Sequence, residues 1–292
     1  MPSTRDIRRR IKSVKNTAQI TKAMQMVASS KMRKAQLAAL AGRPYAEKMN
    51  TMLADATATV VDFSHPLMEQ RGGKKRAVIL VSTDKGLCGA LNSNLFREAG
   101  KFDKDTTVYV CAGKKGAQFV SRTRRQLAAE FTYKDSPSFA EARVISKFAQ
   151  DLFLKGEVDH VDILFTNFVS TLVQKPEVKT LLPIGEIKGV QAGVDGHETH
   201  SELKGSGLEF QFEPNAAQVL GELLPHYLNF QVFQILLEAK ASEHSSRMVA
   251  MKNATDNAKQ LIKDLTLQYN KVRQAAITTE ILEIATAQMA VG

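Results

Sequence analysis

Between His226 and Val291 the chain runs for 66 residues without a glycine or a proline. Within that run Ala241, His244, Met248, Met251, Thr255, Ala258, Ile262, Leu265, Tyr269, Val272 and Ala276 recur in steps of three and four, the spacing of a coiled-coil seam. As one helix at about 1.5 Å per residue the stretch is roughly 100 Å long, several times the diameter of a domain of this size. A helix of that length cannot be buried in its own globule. It must pair with another helix or be sheathed by other proteins.

The other end of the chain offers the partner. From Ile7 the positions Ile11, Val14, Ala18, Thr21, Gln25, Ala28, Met32, Ala35, Ala39, Gly42, Ala46, Met49, Leu53, Ala56 and Val60 step by four and three. Alanines dominate this seam and let a second helix approach closely, and an antiparallel pairing of the two ends is expected. Gly42 and Pro44 are expected to bend or briefly interrupt the first helix.

The middle has a different character. "RAVILVSTDKGLCGALN" (76–92) reads as a buried strand, a turn and a helix start. "TTVYVCAGKKGAQFVSR" repeats the pattern, and "HVDILFTNFVS" is a third strand after the helical "SFAEARVISKFAQDLFLK". Strands alternating with helices imply a small parallel sheet of the doubly wound kind. The expected fold is therefore α/β, a long antiparallel coiled coil of the terminal helices on a Rossmann-like domain. Its divisions are an N-terminal helix over 1–64, the α/β domain over 76–184, a surface excursion rich in Gly, His and Glu over 185–214, and a C-terminal helix over 215–292.

Charge points to an acidic partner. Residues 1–48 hold twelve Lys or Arg against Asp6 and Glu47, a balance of +10 that equals the net charge of the whole chain. Nucleic acid, anionic lipid and an acidic protein surface all fit such a block. A basic coiled-coil nucleic-acid binder should interleave aromatics with its cations, however, and no aromatic occurs before Tyr45.

A doubly wound sheet invites a nucleotide, yet the residues do not supply one. Gly86 and Gly89 in "DKGLCGALN" lack the third glycine and the spacing of the dinucleotide fingerprint, and no GxxxxGK[ST] loop occurs. These glycines read as a tight strand-to-helix turn. Cys88 and Cys111 stand in apolar surroundings with no paired spacing, and the six histidines form no triad or metal pattern. A reducing compartment, no metal and no cofactor are expected. No run of eighteen apolar residues exists, and "MPSTRDIRRRIKS" lacks the apolar core of a secretory signal, so the start is read as mature structure.

Three stretches carry a family resemblance. The opening "IRRRIKSVKNTAQITKAMQMVASSKMRKAQ", the central "STDKGLCGALNSNLF" and the closing "ASEHSSRMVAMKNATDNAKQLIKDLTLQYNKVRQAAITTEILEI" resemble, in order, the γ subunits of rotary F-type ATP synthases. The resemblance implies a non-catalytic central rotor shaft that couples proton-driven rotation of the membrane c ring to ATP synthesis or hydrolysis on the β subunits. The implied partners are the α and β subunits of the hexamer, the ε subunit and the c ring. The implied place is peripheral, on the cytoplasmic face of the bacterial inner membrane. By the same resemblance Met24 faces an acidic β loop, while nearby cations such as Lys31 and Lys34 give diffuse attraction. Arg247, Arg273, Gln274, Thr278 and Glu280 fall at positions of polar contact with β. Phe210, Phe212 and Glu213 in "LEFQFEP" fall in the segment that meets the c ring, and the uncharged end "IATAQMAVG" suits an apolar collar. The inserted regulatory cysteine pair of the chloroplast type is not found here, so redox control by that route is not expected.

Overall fold

The computed structural model describes residues 3–59, 65–185 and 215–291. Helix α1 spans Thr4–Thr59 and helix α5 spans Ala216–Val291. Between them come a short 3₁₀ turn at Pro66–Met68, then β1 (Arg76–Val81), α2 (Leu91–Ala99), β2 (Thr107–Ala112), α3 (Lys114–Arg122), β3 (Gln126–Phe131), α4 (Phe139–Leu154), β4 (His160–Phe168) and β5 (Gln174–Leu182). The chain divides into two compact units. One comprises Met1–Ala28 with Met248–Gly292, the other Ser29–Arg247.

In the first unit the expected seam is present. Along α1, Ile7 and Ala28 are buried and Ile11, Val14, Ala18, Thr21 and Gln25 are half-buried, while most residues between them are exposed. On α5, Met251, Thr255, Ala258 and Leu265 are buried at the matching spacing. The hydroxyls of Thr21 and Thr255 lie 2.7 Å apart, and Arg8 hydrogen-bonds the Tyr269 hydroxyl. As the number on α1 rises, that of its partner on α5 falls, so the pair is antiparallel. One seam position differs from expectation: Ala276 is exposed. Arg8, already in the second turn of α1, reaches Tyr269, so α1 has no residues left to cover a position two turns further along α5.

The second unit is a five-stranded sheet in the order β3-β2-β1-β4-β5. β1 to β4 pair in parallel, and β5 runs antiparallel to β4. The sequence pattern reveals three of these strands. β3 escapes it because "QLAAEF" holds no β-branched residue and sits at an edge with little burial, and β5 because "QKPEVKTLL" carries a proline and three charges. Both are edge strands, so neither needs the continuous apolar run that marks β1 and β4 as buried on both faces.

One face of the sheet packs against α4, the start of α5 and the end of α1, with Met49, Leu53, Ile145, Phe153, Leu224 and Leu236 among the buried side chains. The other face packs against α2 and α3 through Leu95, Ala117 and Val120. Helix α1 passes Gly42 and Pro44 without a break. A Cβ on Gly42 would stand 2.8 Å from Gln234 Oε1, and Gln234 Nε2 donates to Ala39 O at 3.1 Å. Gly42 thus lets α5 approach, and α5 supplies a side-chain donor in the turn before Pro44. Gly113, at φ 109°, turns the chain from β2 into α3, where a Cβ would meet Ser82 O at 2.2 Å.

Candidate partner and coupling surfaces

In a doubly wound sheet a ligand binds beyond the carboxyl ends of the strands, at the point where the strand order reverses. Here that point lies between β1 and β4, and helix α5 fills it. Ser246 Oγ donates to Cys88 O at 2.7 Å, and Arg247 Nη2 reaches Lys85 O and Gly86 O at 3.4 Å each. Ser245 Oγ donates to Thr171 O at 2.8 Å, beyond the end of β4. Two spaces remain there: a cavity of about 10 Å³ lined by Ser82, Thr83, Tyr133, Thr166, Ala239 and Glu243 among others, room for about one water, and a more open one of about 250 Å³ lined by Ala90, Asn94, Thr166, Val173, Gln174 and Ser246 among others. Of the two turn glycines, Gly89 is the one that the backbone requires, whereas a Cβ on Gly86 would meet nothing within 4 Å. Gly89 is at φ 57°, and Leu87 beside it is held at φ 62° with its side chain in solvent. The expectation of a tight strand-to-helix turn fits the backbone at Gly89.

Beneath those contacts lies a buried charge cluster. Glu243 accepts from Lys240 Nζ at 3.0 Å on one carboxylate oxygen and from Arg247 Nη2 at 2.8 Å on the other. The side chains of Lys240 and Glu243 are 2% and 5% exposed. Lys240 also lies 3.8 Å from Asp135 and over the Tyr133 ring, and Lys31 of α1 pairs with the same Asp135. The Lys31 hydrogen bond is the main reason the Asp135 carboxyl is held below its usual value. Lys31 therefore has a defined partner inside the chain, which differs from the diffuse attraction expected of it. His244 is buried beside the cluster. Its Nδ1 lies 3.4 Å from Arg247 Nη1, its Nε2 meets no partner among the described residues, and burial pulls its pKa down to about 4.

Sequence reasoning missed this cluster because buried and solvated polar positions look alike in a helical pattern. His244 was the one signal, a polar residue at a seam position. Both thiols are buried, and burial pushes Cys111 up to about 12 and Cys88 upward as well.

The sequence-predicted contact residues are distributed as follows. Met24 is half-buried beside the seam, between Thr21 and Ala28, whereas Met26 is 61% exposed. Arg247 is committed to Glu243 and to the β1–α2 loop. Arg273, Gln274, Thr278 and Glu280 are all exposed on the last part of α5, and the Thr278 hydroxyl bonds back to Gln274 O. Phe210, Phe212 and Glu213 lie outside the described residues. From Arg273 to Met289 every residue of α5 is exposed, including Ile277, Ile281, Leu282, Ile284 and Met289. Among the described residues no group of His, Cys, Asp and Glu could hold a metal, and no helix is long and apolar enough to cross a membrane.

A family model described as ATP synthase matches residues 3–291. The chain is 54% identical to the ATP synthase gamma chain of Opitutus terrae over 295 residues, covering 99% of each. It is 46% identical to that of Methylacidiphilum infernorum over 297 residues, covering 100% of each. Among solved structures it resembles a chain of the Euglena gracilis mitochondrial ATP synthase, OSCP/F1/c-ring, at 20% identity and a TM-score of 0.71, covering 99% of this chain and 94% of that one. It also resembles a chain of the Tetrahymena thermophila mitochondrial ATP synthase central stalk and c ring, at 24% identity and a TM-score of 0.61, covering 80% of this chain and 99% of that one. At such identities the structures speak for the fold, and the full-length relatives speak for descent. By sequence along its whole length, the chain belongs to the family of ATP synthase gamma chains.

Proposed function

We propose that the chain is the central rotor shaft of a rotary ATP synthase, non-catalytic itself, which carries rotation of a membrane c ring to the β subunits and back. The observation that carries this reading is the last part of α5. From Arg273 to Met289 it is exposed on every side, it presents five large apolar side chains to solvent, and after Glu283 it has no charge. Contiguous apolar surface of this kind marks a place that another protein covers. A helix uncovered all round fits a surrounding collar better than a partner on one side.

On this reading Met24, Arg273, Gln274, Thr278 and Glu280 meet the hexamer of α and β subunits. Arg247 is better placed as an internal brace, since its guanidinium is already engaged. Phe210, Phe212 and Glu213 are proposed to face the c ring, with the ε subunit as a further partner. The complex sits peripherally on the cytoplasmic face of a bacterial plasma membrane. Membership of the family sets aside the nucleic-acid alternative. The test is co-expression with the α and β subunits of the same complex. The expected product is an assembly that hydrolyses ATP and retains this chain through gel filtration, while the chain alone has no ATPase activity. Recovery of an active α/β hexamer that never retains the chain would overturn the reading.

A further inference from the structure

The residues from Lys240 to Arg247 make more contacts than packing one helix on a sheet requires. Their targets on the sheet side are main-chain carbonyls: Cys88 O for Ser246, Thr171 O for Ser245, and Lys85 O with Gly86 O for Arg247. These carbonyls lie beyond the carboxyl ends of β1 and β4, the two strands at the centre of the reversal in strand order. Glu243 holds the assembly together from within. One oxygen binds Lys240 and the other binds Arg247, both on its own helix, while Lys240 reaches Asp135 in the loop between β3 and α4, and Asp135 binds Lys31 of α1. Both long helices are thereby tied to the α/β sheet by directional polar contacts in one place.

Apolar packing is non-directional and permits small sliding, whereas a hydrogen bond weakens steeply as its angle departs from linear. Building on the rotor function proposed above, we propose that Glu243, with Ser245 and Ser246, forms a torque lock: these residues position α5 rotationally on the sheet, so that a twist entering the α/β domain passes to the helix without slip. The crevice that would hold a nucleotide in a ligand-binding relative of this fold is here the keyway. Glu243 is a positioning residue in this scheme. It touches no reacting group, and its effect is expected only when the rotor works against a load.

The experiment uses the whole complex reconstituted into vesicles, with Glu243→Gln, the conservative Glu243→Asp, and the double variant Ser245→Ala with Ser246→Ala, which removes two hydroxyls and little else. ATP hydrolysis is measured with an uncoupler present, and the maximum proton gradient reached is measured without it. For Glu243→Gln and for the serine pair, uncoupled hydrolysis is expected within twofold of the parent, while the maximum gradient falls at least threefold. Glu243→Asp is expected to restore most of the gradient. An unchanged gradient in the serine pair overturns the lock, and so does a loss of gradient matched by an equal loss of uncoupled hydrolysis, which would mark a structural role only. Should Glu243→Gln fail to assemble, the serine pair decides. A parent complex that hydrolyses ATP without forming any gradient would overturn the rotor reading itself, before the variants are compared.

Discussion

His244 shows how much a single side chain can reveal once its surroundings are known. Its Nδ1 faces Arg247, so the neutral ring carries its proton on Nε2, which meets no acceptor among the described residues. Burial lowers its pKa most, the carboxylates of Glu243 and Asp135 oppose this, and the cations Arg247 and Lys240 reinforce it, which brings the pKa to about 4. Below its ordinary value of 6.5 the unfolded chain takes up a proton that the folded chain refuses, so stability falls as pH drops through that value and levels off only near pH 4. Between pH 7.5 and pH 5 the expected loss from this residue is on the order of 2 kcal/mol. His244→Gln should remove that loss, seen as a smaller acid shift in the urea midpoint of the purified chain by circular dichroism. An identical shift in parent and variant would show that another group titrates.

At the scale of the element, most of the two helices was legible and the sheet only in part. A seam every three or four residues survives in sequence because the side facing the partner must be small or apolar at each turn, and Ile7, Ala28, Met251 and Leu265 obey this rule. Ala276 obeys it too and is nevertheless exposed, because composition cannot say where the opposing helix runs out. β3 and β5 were invisible because an edge strand can be polar. The lock residues were hidden because serine and glutamate are ordinary on a solvated helix face. Two outcomes test the helical reading. Ala28→Leu adds bulk where the two helices meet and should destabilise the pair by about 1–3 kcal/mol, read as a lower melting temperature. Arg273→Ala with Gln274→Ala should leave assembly intact and lower steady-state ATP turnover about tenfold, the equivalent of about 1.4 kcal/mol. A silent double variant would place the working contact elsewhere on the shaft.

For the whole molecule, the helix packed into the crevice makes a negative prediction. With Ser246 and Arg247 held against the β1–α2 loop and no GxxxxGK[ST] loop in the sequence, the isolated chain should bind ATP no tighter than about millimolar. Micromolar binding by calorimetry would contradict this. The basic start of α1 has a kinetic consequence as well. Arg5, Arg8, Arg9, Arg10, Lys12, Lys15 and Lys22 stand exposed along one short run, with Asp6 the one acid among them. A charge gathered at one end orients a molecule before it touches anything, because the field is felt over a Debye length of about 8 Å at physiological salt. The chain would then enter its partner end-first and in few attempts. Added salt should lengthen the time needed to find the partner, while a finished complex, held by surfaces already dry, should be released hardly any sooner.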